Sequence, residues 1–355
     1  LAQDSPALAL AAARGRLYAR DAAHRVHVVD ASDPTQLRPL AAHALEDWSE
    51  WWDPPPNLAV RGDVVYAGTH GALETIDVRD PAALEQAFAG ADVVVHLAFM
   101  ITGTAPRETI REINIDGTLN AFRAAKAAGA QRFVYSSSVA AYGWHSDNPV
   151  GMTEEWPVRP AAHLFYGQEK AELEQLLAEE AAGAPELGLY LLRPPIVLGP
   201  HAGGAKQLLP APLSALRRRA GSRLSPGRFP PLPVLVPKLP MQFIHEDDVG
   251  QALLLCAVGA GPPGAYNITG DGVLTADEVL RELGLRPVPV PKRPVQLGAR
   301  AVAAIPLPGF VPPVTEWAEA LSHPSIMDAS RAKRELGWRP RYSSLEALRD
   351  TLTSS

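Results

Sequence analysis

Two residues with complementary acid–base chemistry, Tyr166 and Lys170, lie four positions apart in the run YGQEKAELEQLLAEE. The run has the spacing of a helix, so the two side chains share one helix face. A tyrosine with a reference pKa of about 10 is a poor base at neutral pH, but a nearby ammonium group favours its phenolate. The pattern therefore indicates proton transfer through Tyr166 in the field of Lys170. The alternative is a solvated Tyr/Lys pair without a catalytic role.

From Asp77 onward, the sequence predicts a scaffold that positions such a pair. The apolar runs DVVVHLA, RFVYSSS and LGLYLLRP are typical of parallel strands covered on both faces, and segments with helical spacing separate them. This alternation predicts an α/β fold with a doubly wound parallel sheet. Ser138 ends the second of these strands. Ligands bind beyond the carboxyl ends of the strands in such sheets, so Ser138 joins the candidate site, with an ordinary serine-rich turn as the alternative.

Five runs occur in a characteristic order: VVVHLA, INIDGTLNAFRAAKAAGAQRFVYSSSVAAYG, YGQEK, LRPPIVLGP and QFIHEDDVGQAL. In order and spacing they resemble the extended short-chain dehydrogenase/reductase family, also called NAD-dependent epimerase/dehydratases. The chain end, DASRAKRELGWRPRYSSLEALRDTL, resembles that family's C-terminus, so the resemblance covers residues 77–355. It implies a Rossmann-like dinucleotide-binding domain over 77–200, and mainly a substrate-binding lobe with C-terminal helices over 201–355.

The resemblance also implies roles for individual residues. Ser138 would hydrogen-bond the reacting oxygen, Tyr166 would transfer a proton coupled to hydride transfer, and Lys170 would hold the nicotinamide ribose hydroxyls. The implied cofactor is NAD or NADP, the implied substrate a small molecule such as a nucleotide sugar, and the implied assembly a homodimer through the long helices. Besides Tyr166 and Lys170, the implied cofactor-binding positions are Asp77 and Val78 at the adenine, Leu97, Ala98 and Phe99 at the pyrophosphate and ribose, Asn114, whose role is mainly to brace the sheet, and Pro195 and Ile196 at the nicotinamide.

Residues 1–76 depart from this pattern. The segments RGRLYARDAAHRVHVVDASDPTQL and RGDVVYAGTHGALETIDVRDPAAL match at a constant spacing, each predicts a β-hairpin, and together they resemble LVIVD-type β-propeller repeats. Gly68 and Gly71 are spaced like the start of a phosphate-binding loop, but no room for a helix follows them, so a hairpin turn is favoured. The family's first strand, glycine-rich loop, helix and second strand are therefore not recognisable in the sequence. We expect an incomplete sheet in which the edge of the strand DVVVHLA is exposed, or is covered by hairpins of the β-repeat.

Composition excludes several classes of protein. The formal net charge is −6 without a long basic run, which argues against nucleic acid and anionic membranes as partners. No apolar run is long enough to span a bilayer, and the expected location is cytoplasmic. His96 and His245 lack a spaced set of further ligands, so no metal site is predicted. Two functions remain: an NAD(P)-dependent oxidoreductase or epimerase, and a catalytically inactive or chimeric relative that acts as a binding protein through its β-repeat.

Overall fold

The computed structural model describes residues 77–101, 106–162, 164–202, 233–291 and 323–353, together with the backbone of six strands among the first 68 residues. The chain forms two compact units, Leu1–Thr75 and Ile76–Ser355. Each unit contains β-sheets of its own.

The described part of the first unit consists of antiparallel strands. Four of them pair in chain order, and two more form a separate hairpin. In the first matching segment, the strands Arg16–Asp21 and Arg25–Asp30 pair as the expected hairpin. In the second, Val64–Gly68 pairs with the strand before it. Of the run TIDV, Thr75 and Ile76 lie outside the described residues, and Asp77 and Val78 belong to no strand, so the expected second strand of this hairpin is not seen at these two positions. The strands are β1 (Ala7–Ala13), β2 (Arg16–Asp21), β3 (Arg25–Asp30), β4 (Arg38–Ala44), β5 (Asn57–Arg61) and β6 (Val64–Gly68).

The second unit alternates helices and strands. Its first helix shows how local chemistry sets the ends: Asp80 Oδ1 accepts hydrogen bonds from the N–H groups of Ala82 and Ala83, with proline at the first helical position. Gly90, at φ +75°, then turns the chain into the next strand. The described helices are α1 (Pro81–Phe88), α2 (Arg107–Arg111), α3 (Gly117–Ala127), α4 (Phe165–Ala182), α5 (Glu246–Ala257), α6 (Ala276–Glu282), α7 (Ser330–Glu335) and α8 (Ser344–Thr353), with a π-helical turn at Glu112–Asp116 and a 3-10 turn at Val139–Ala141. The described strands are β7 (Val93–His96), β8 (Arg132–Ser136), β9 (Val150–Met152), β10 (Gly188–Arg193), β11 (Ile196–Leu198), β12 (Pro233–Val236), β13 (Pro240–Met241), β14 (Phe243–His245), β15 (Gly264–Asn267), β16 (Leu274–Thr275), β17 (Arg286–Pro289) and β18 (Ile326–Met327).

Four strands form the central sheet, in the order β15-β10-β8-β7, and all of their pairings are parallel. The predicted α/β fold with a parallel central sheet is therefore confirmed. β15 and the helix α5 before it come after residue 200, yet β15 belongs to this sheet and α5 packs against β8 and β10. The sheet and its covering helix therefore include residues beyond position 200, where the sequence predicts the end of the dinucleotide-binding domain.

Both faces of the sheet are buried, and β8 shows why its sequence is continuously apolar. Phe133 and Tyr135 pack on one face with Phe122 of α3 and Leu173 of α4. Val134, between them, packs on the other face in a cluster that α5 and α7 complete. Side chains alternate between the faces of a strand, so a strand covered on both sides needs apolar residues at every position.

β7 lies at one end of the sheet. Among the described strands it pairs only with β8. Val95, within the strand, is 40% exposed, and Leu97, directly after it, is 55% exposed.

Candidate functional site

Ser138 lies at the carboxyl end of β8, where the chain leaves the sheet. Its Oγ accepts a hydrogen bond of 3.1 Å from the N–H of Ala140 and so caps the 3-10 turn that follows. This bond occupies an oxygen lone pair and leaves the hydroxyl proton available to donate. Ser138 is therefore buried and held in place by the backbone, and the bond to Ala140 does not use the hydrogen of its hydroxyl group.

The first turn of α4 brings Tyr166 to the turn that begins at Ser138. Ala140 packs in one apolar cluster with Leu164, which caps the helix, and with Tyr166. A side-chain hydrogen bond joins Tyr166 to Ser138. The ring of Phe99 meets the Tyr166 ring edge-on, with 5.5 Å between the centroids. The structure thus brings together Ser138, Tyr166 and Phe99, three of the positions predicted from sequence.

Burial raises the pKa of Tyr166, and the hydrogen bond with Ser138 only partly opposes this effect. The Lys170 Nζ is 5.8 Å from the centroid of the Tyr166 ring. The sequence led us to expect that the ammonium would favour the phenolate, but burial has the larger effect in this arrangement. Tyr166 therefore carries its proton at neutral pH and is poised to donate it.

Lys170 lies one helical turn further along and is only 4% exposed. Its Nζ donates a 2.7 Å hydrogen bond to the carbonyl oxygen of Ser136, at the end of β8, and lies 3.8 Å from the centroid of the Phe99 ring and 4.6 Å from that of Tyr135. Burial lowers the pKa of Lys170 to about 7, although nearby carboxylates oppose the shift. Its charge at neutral pH is therefore sensitive to its neighbours.

Buried charged residues that we did not predict surround this lysine. Glu174 and Arg193 form an ion pair at 2.5 Å, with both side chains almost fully buried, and Ser137 Oγ donates to the same carboxylate. Glu169, also buried, precedes Lys170 directly. The sequence did contain signals: Glu174 is four residues after Lys170, and Arg193 ends an otherwise apolar strand.

The nicotinamide-side positions lie next to the Ser138 turn. The N–H of Val139 donates a 2.9 Å hydrogen bond to the carbonyl oxygen of Pro194, which ties the loop containing Pro195 to that turn. Pro195 is buried, and Ile196 begins β11. These two positions therefore belong to the same end of the sheet as Ser138.

The adenine-side positions are engaged with other parts of the protein. Asp77 is exposed and paired with Arg79, whose hydrogen bonds lower the pKa of Asp77 to about 2. Val78 packs against Gly117, and its carbonyl oxygen accepts a 3.2 Å hydrogen bond from Asn120. No hydrogen bond or ion pair links Asp77 or Val78 to the Tyr166–Lys170 pair within the described ranges.

The remaining positions lie in the segment after β7 and in the π-helical turn. Leu97 and Ala98 are exposed. The amide of Asn114 bonds to both the N–H and the carbonyl oxygen of Met100 and to Glu169. Asn114 therefore holds the loop that contains Met100 against α4. Both the oxygen and the nitrogen of its side-chain amide have protein partners.

The two histidines of the motif runs have structural contacts. His96 Nε2 lies 3.0 Å from Thr118 Oγ1, and His245 Nδ1 accepts a bond from the N–H of Asp247 at the start of α5. In the described part of the chain, no group of three or more potential ligands could hold a metal ion. None of the described helices is both long and apolar enough to cross a membrane.

Comparison with known proteins gives a family match. A model of the NAD dependent epimerase/dehydratase family matches residues 15–269. The uncharacterized protein y4nG of Sinorhizobium fredii is 30% identical over 293 residues, which cover 80% of this chain and 68% of that protein. UDP-glucose 4-epimerase 4 of Oryza sativa subsp. japonica is 27% identical over 337 residues, covering 88% of this chain and 82% of the epimerase. The crystal structure of the Bordetella bronchiseptica enzyme WbmG in complex with NAD superposes with a TM-score of 0.56 at 21% identity, over 79% of this chain and 77% of that one, and shows the shared fold.

The family match corrects one expectation. It begins at residue 15 and so runs through most of the first unit, for which we expected β-propeller repeats. The propeller resemblance is not supported. Short antiparallel strands joined by glycine- and aspartate-containing turns occur in many β-arrangements, so two matching segments do not specify a propeller.

Proposed function

Because the chain belongs to the NAD dependent epimerase/dehydratase family, we propose that it is an NAD(P)-dependent enzyme that epimerises or dehydrates a nucleotide-linked sugar. The likeness to a UDP-glucose 4-epimerase along most of both chains supports this substrate class. The three catalytic positions are Ser138, Tyr166 and Lys170.

The observation that carries the proposal is the hydrogen bond between Ser138 and Tyr166, with Lys170 one helical turn away. A fixed serine hydroxyl and a tyrosine hydroxyl within hydrogen-bond reach can bind the same substrate oxygen. A buried lysine behind them supplies positive charge without solvent screening. A surface Tyr/Lys pair, the alternative considered from the sequence, would have neither the burial nor the serine partner.

The described residues fit the nicotinamide end of the cofactor. Lys170 and Tyr166 would hold the ribose, Pro195 and Ile196 would line the ring, and Phe99 already covers the Lys170 ammonium that a ribose would contact. When bound, the nicotinamide supplies the hydride acceptor and donor. The described residues include no glycine-rich loop followed by a helix, so the proposal gives the pyrophosphate only the segment of Leu97, Ala98 and Phe99 after β7.

The residues of the chain perform the proton chemistry. Tyr166, which burial keeps protonated at neutral pH by raising its pKa, donates its proton to a substrate carbonyl oxygen, and in its ionised form accepts a proton from a substrate hydroxyl. The Ser138 hydroxyl donates to the same oxygen and fixes its position. The Lys170 charge stabilises the phenolate that forms when Tyr166 loses its proton.

Titration of the purified protein with NADH and NADPH, followed by nucleotide fluorescence and calorimetry, tests the proposal. We expect saturable binding that Lys170→Ala weakens at least tenfold, and turnover of a UDP- or dTDP-sugar that Tyr166→Phe abolishes while weakening binding less than Lys170→Ala does, because it removes one neutral hydrogen bond to the ribose and no charge. Absence of binding at millimolar cofactor by folded protein would reject the proposal.

A non-catalytic relative is the second candidate. The absence of a glycine-rich loop among the described residues favours it, because that loop normally carries the backbone N–H groups that bind pyrophosphate. The same titration separates the two candidates, because a non-catalytic binding protein has no reason to bind NADH in a way that depends on Lys170.

The proposal includes a homodimer formed through α3 and α4. Within the chain, ion pairs join two glutamates of α4 to neighbouring arginines, Glu172 to Arg111 and Glu180 to Arg123. Light scattering coupled to gel filtration measures the mass directly, and a monomeric mass would remove the dimer from the proposal.

A further inference from the structure

A buried carboxylate next to Lys170 has no part in the chemistry proposed above. Glu169 is 5% exposed, and no cationic side chain within the described ranges forms an ion pair with it. Burying a carboxylate without a compensating charge is costly, so such a residue needs an electrostatic partner nearby.

Asn114 fixes the position of this carboxylate. Its Nδ2 donates 2.8 Å to Glu169 Oε2 and 3.0 Å to the carbonyl oxygen of Met100, while its Oδ1 accepts 2.7 Å from the N–H of Met100. Asn114 is completely buried in the π-helical turn, a geometry that often marks functional sites. Glu169 is therefore held in one place against the loop that carries Phe99.

Arg111 also interacts electrostatically with Glu169, but its side chain is half exposed and paired with Glu172, so among the buried cations Lys170 is left to balance Glu169. Arg193 already neutralises Glu174 through two hydrogen bonds. Lys170 itself donates to a backbone carbonyl and not to a carboxylate. Glu169, Lys170, Glu174 and Arg193 then form a cluster in which two negative charges balance two positive ones.

The other titratable groups around Lys170 are neutral at neutral pH. Burial lowers the pKa of His96, on β7, to about 4, and burial raises the pKa of Tyr135, on β8, and of Tyr166. Charge at Lys170 therefore depends on the two glutamates of α4, Glu169 and Glu174, the second of which is shared with Arg193.

We propose that Glu169 is a positioning residue whose carboxylate, held by Asn114, keeps Lys170 in its charged form beside Tyr166. Without that carboxylate the cluster would carry a net positive charge in a buried site, and loss of the lysine proton would relieve it. The consequence for Tyr166 rests on the proposed function, because only a catalytic tyrosine needs the ammonium. The electrostatic relation between Glu169 and Lys170 does not depend on it.

Competitive labelling with acetic anhydride over a pH series, read at Lys170 by mass spectrometry, measures the ionisation of this lysine without cofactor or substrate. The wild-type midpoint is expected at about 7. Glu169→Gln should lower it by about 1 unit or more. Glu179→Gln is the matched control: it removes a carboxylate from the same helix, where Glu179 is exposed and accepts a hydrogen bond from Gln175, and it should leave the midpoint unchanged.

A second variant keeps the test decisive if the glutamine variant folds poorly. Glu169→Asp retains the charge with one methylene fewer, so its midpoint should stay near that of the wild type. Equal midpoints for wild type and Glu169→Gln, or an aspartate variant whose midpoint falls below that of the wild type by a unit or more, would overturn the proposal.

NADH binding over the same pH series separates this inference from the proposed function. In Glu169→Gln, loss of binding with rising pH should occur at lower pH than in the wild type. A wild-type protein that binds no NADH would count against the proposed function alone, because the labelling midpoints would still decide the role of Glu169.

Discussion

Gly167 lies so close to Ala140 that a Cβ built on the glycine would be 2.7 Å from the Ala140 carbonyl oxygen. Real Cβ contacts of this kind are not that short, and the obstacle is backbone, which cannot rotate away. The residue after Tyr166 must therefore be glycine for α4 to approach the turn that starts at Ser138.

We expect Gly167→Ala to separate Tyr166 from Ser138. Because the helix start must move, turnover should fall by about tenfold or more, while the fold remains, since alanine favours helix by about 1 kcal/mol relative to glycine. Steady-state kinetics and thermal unfolding measure the two effects. The matched control is Gly183→Ala at the other end of α4, where the new Cβ would lie 3.5 Å from the carbonyl oxygen of Glu180, an ordinary contact. Equal turnover for both variants would show that the close approach is not needed.

The sequence predicted the elements of the site well, because their signals are local. The continuous apolar run of β8 and the helical spacing around Tyr166 define the elements, and parallel strands collect their carboxyl ends at one edge of the sheet. The contact of Tyr166 with Ser138 follows from that topology. β15, in contrast, is a short strand far along the chain, and nothing local assigns it to the sheet.

Properties that depend on burial were not predictable in the same way. The pKa of Tyr166 is raised because its side chain is buried. That burial results from packing between segments distant in sequence, such as the contact of Tyr166 with Phe99. Glu169 looks like one of many charged residues of a polar helix. Its burial follows from packing against Asn114, which lies in the π-helical turn 55 residues earlier in the chain.

The buried ion pair between Glu174 and Arg193 should be essential for stability. Glu174→Gln leaves the guanidinium buried without its counter-charge, which should cost about 3–5 kcal/mol in the free energy of unfolding. Glu180→Gln, on the same helix, breaks an ion pair with the exposed Arg123 and should cost about 0–1 kcal/mol. Urea unfolding measures both values. Similar costs for the two variants would contradict the role assigned to burial.

Asp248 should hold the C-terminal segment against α5. Its two carboxylate oxygens accept hydrogen bonds from the N–H groups of Arg341 and Tyr342 at 2.8 and 3.1 Å, and its carbonyl oxygen accepts one from the indole of Trp338 at 3.0 Å. An asparagine can accept only one of the two backbone bonds, so Asp248→Asn should cost about 1–3 kcal/mol. Hydrogen exchange should rise first in residues 338–353.

The neighbouring Asp247→Asn is the control for that experiment. The Asp247 side chain is half exposed, and its ion pair with Arg341 is long, at 3.5 Å between Oδ2 and Nη2, so its loss should have little effect. Uniform exchange across the domain in Asp248→Asn, without preference for the C-terminal segment, would count against a local clamp.

His96 should make the fold sensitive to acid. Burial, and to a smaller extent the charge of Lys170, lowers the pKa of His96 from 6.5 to about 4. Between these pH values the imidazole is protonated in the unfolded chain but not in the folded protein. Above the unfolded pKa the ring is neutral in both states and this effect is absent. As the pH falls from 6.5 towards 4, stability should decline by up to about 3 kcal/mol through this residue.

His96→Gln removes the titrating ring but retains a donor for Thr118 Oγ1, which itself donates to the carbonyl oxygen of Asn114. We therefore expect the free energy of unfolding, measured by urea titration, to depend less steeply on pH below 6.5 in the variant. At neutral and mildly alkaline pH the two proteins should differ by a constant amount, which serves as the internal control. Parallel pH dependences throughout would assign the acid sensitivity to other residues.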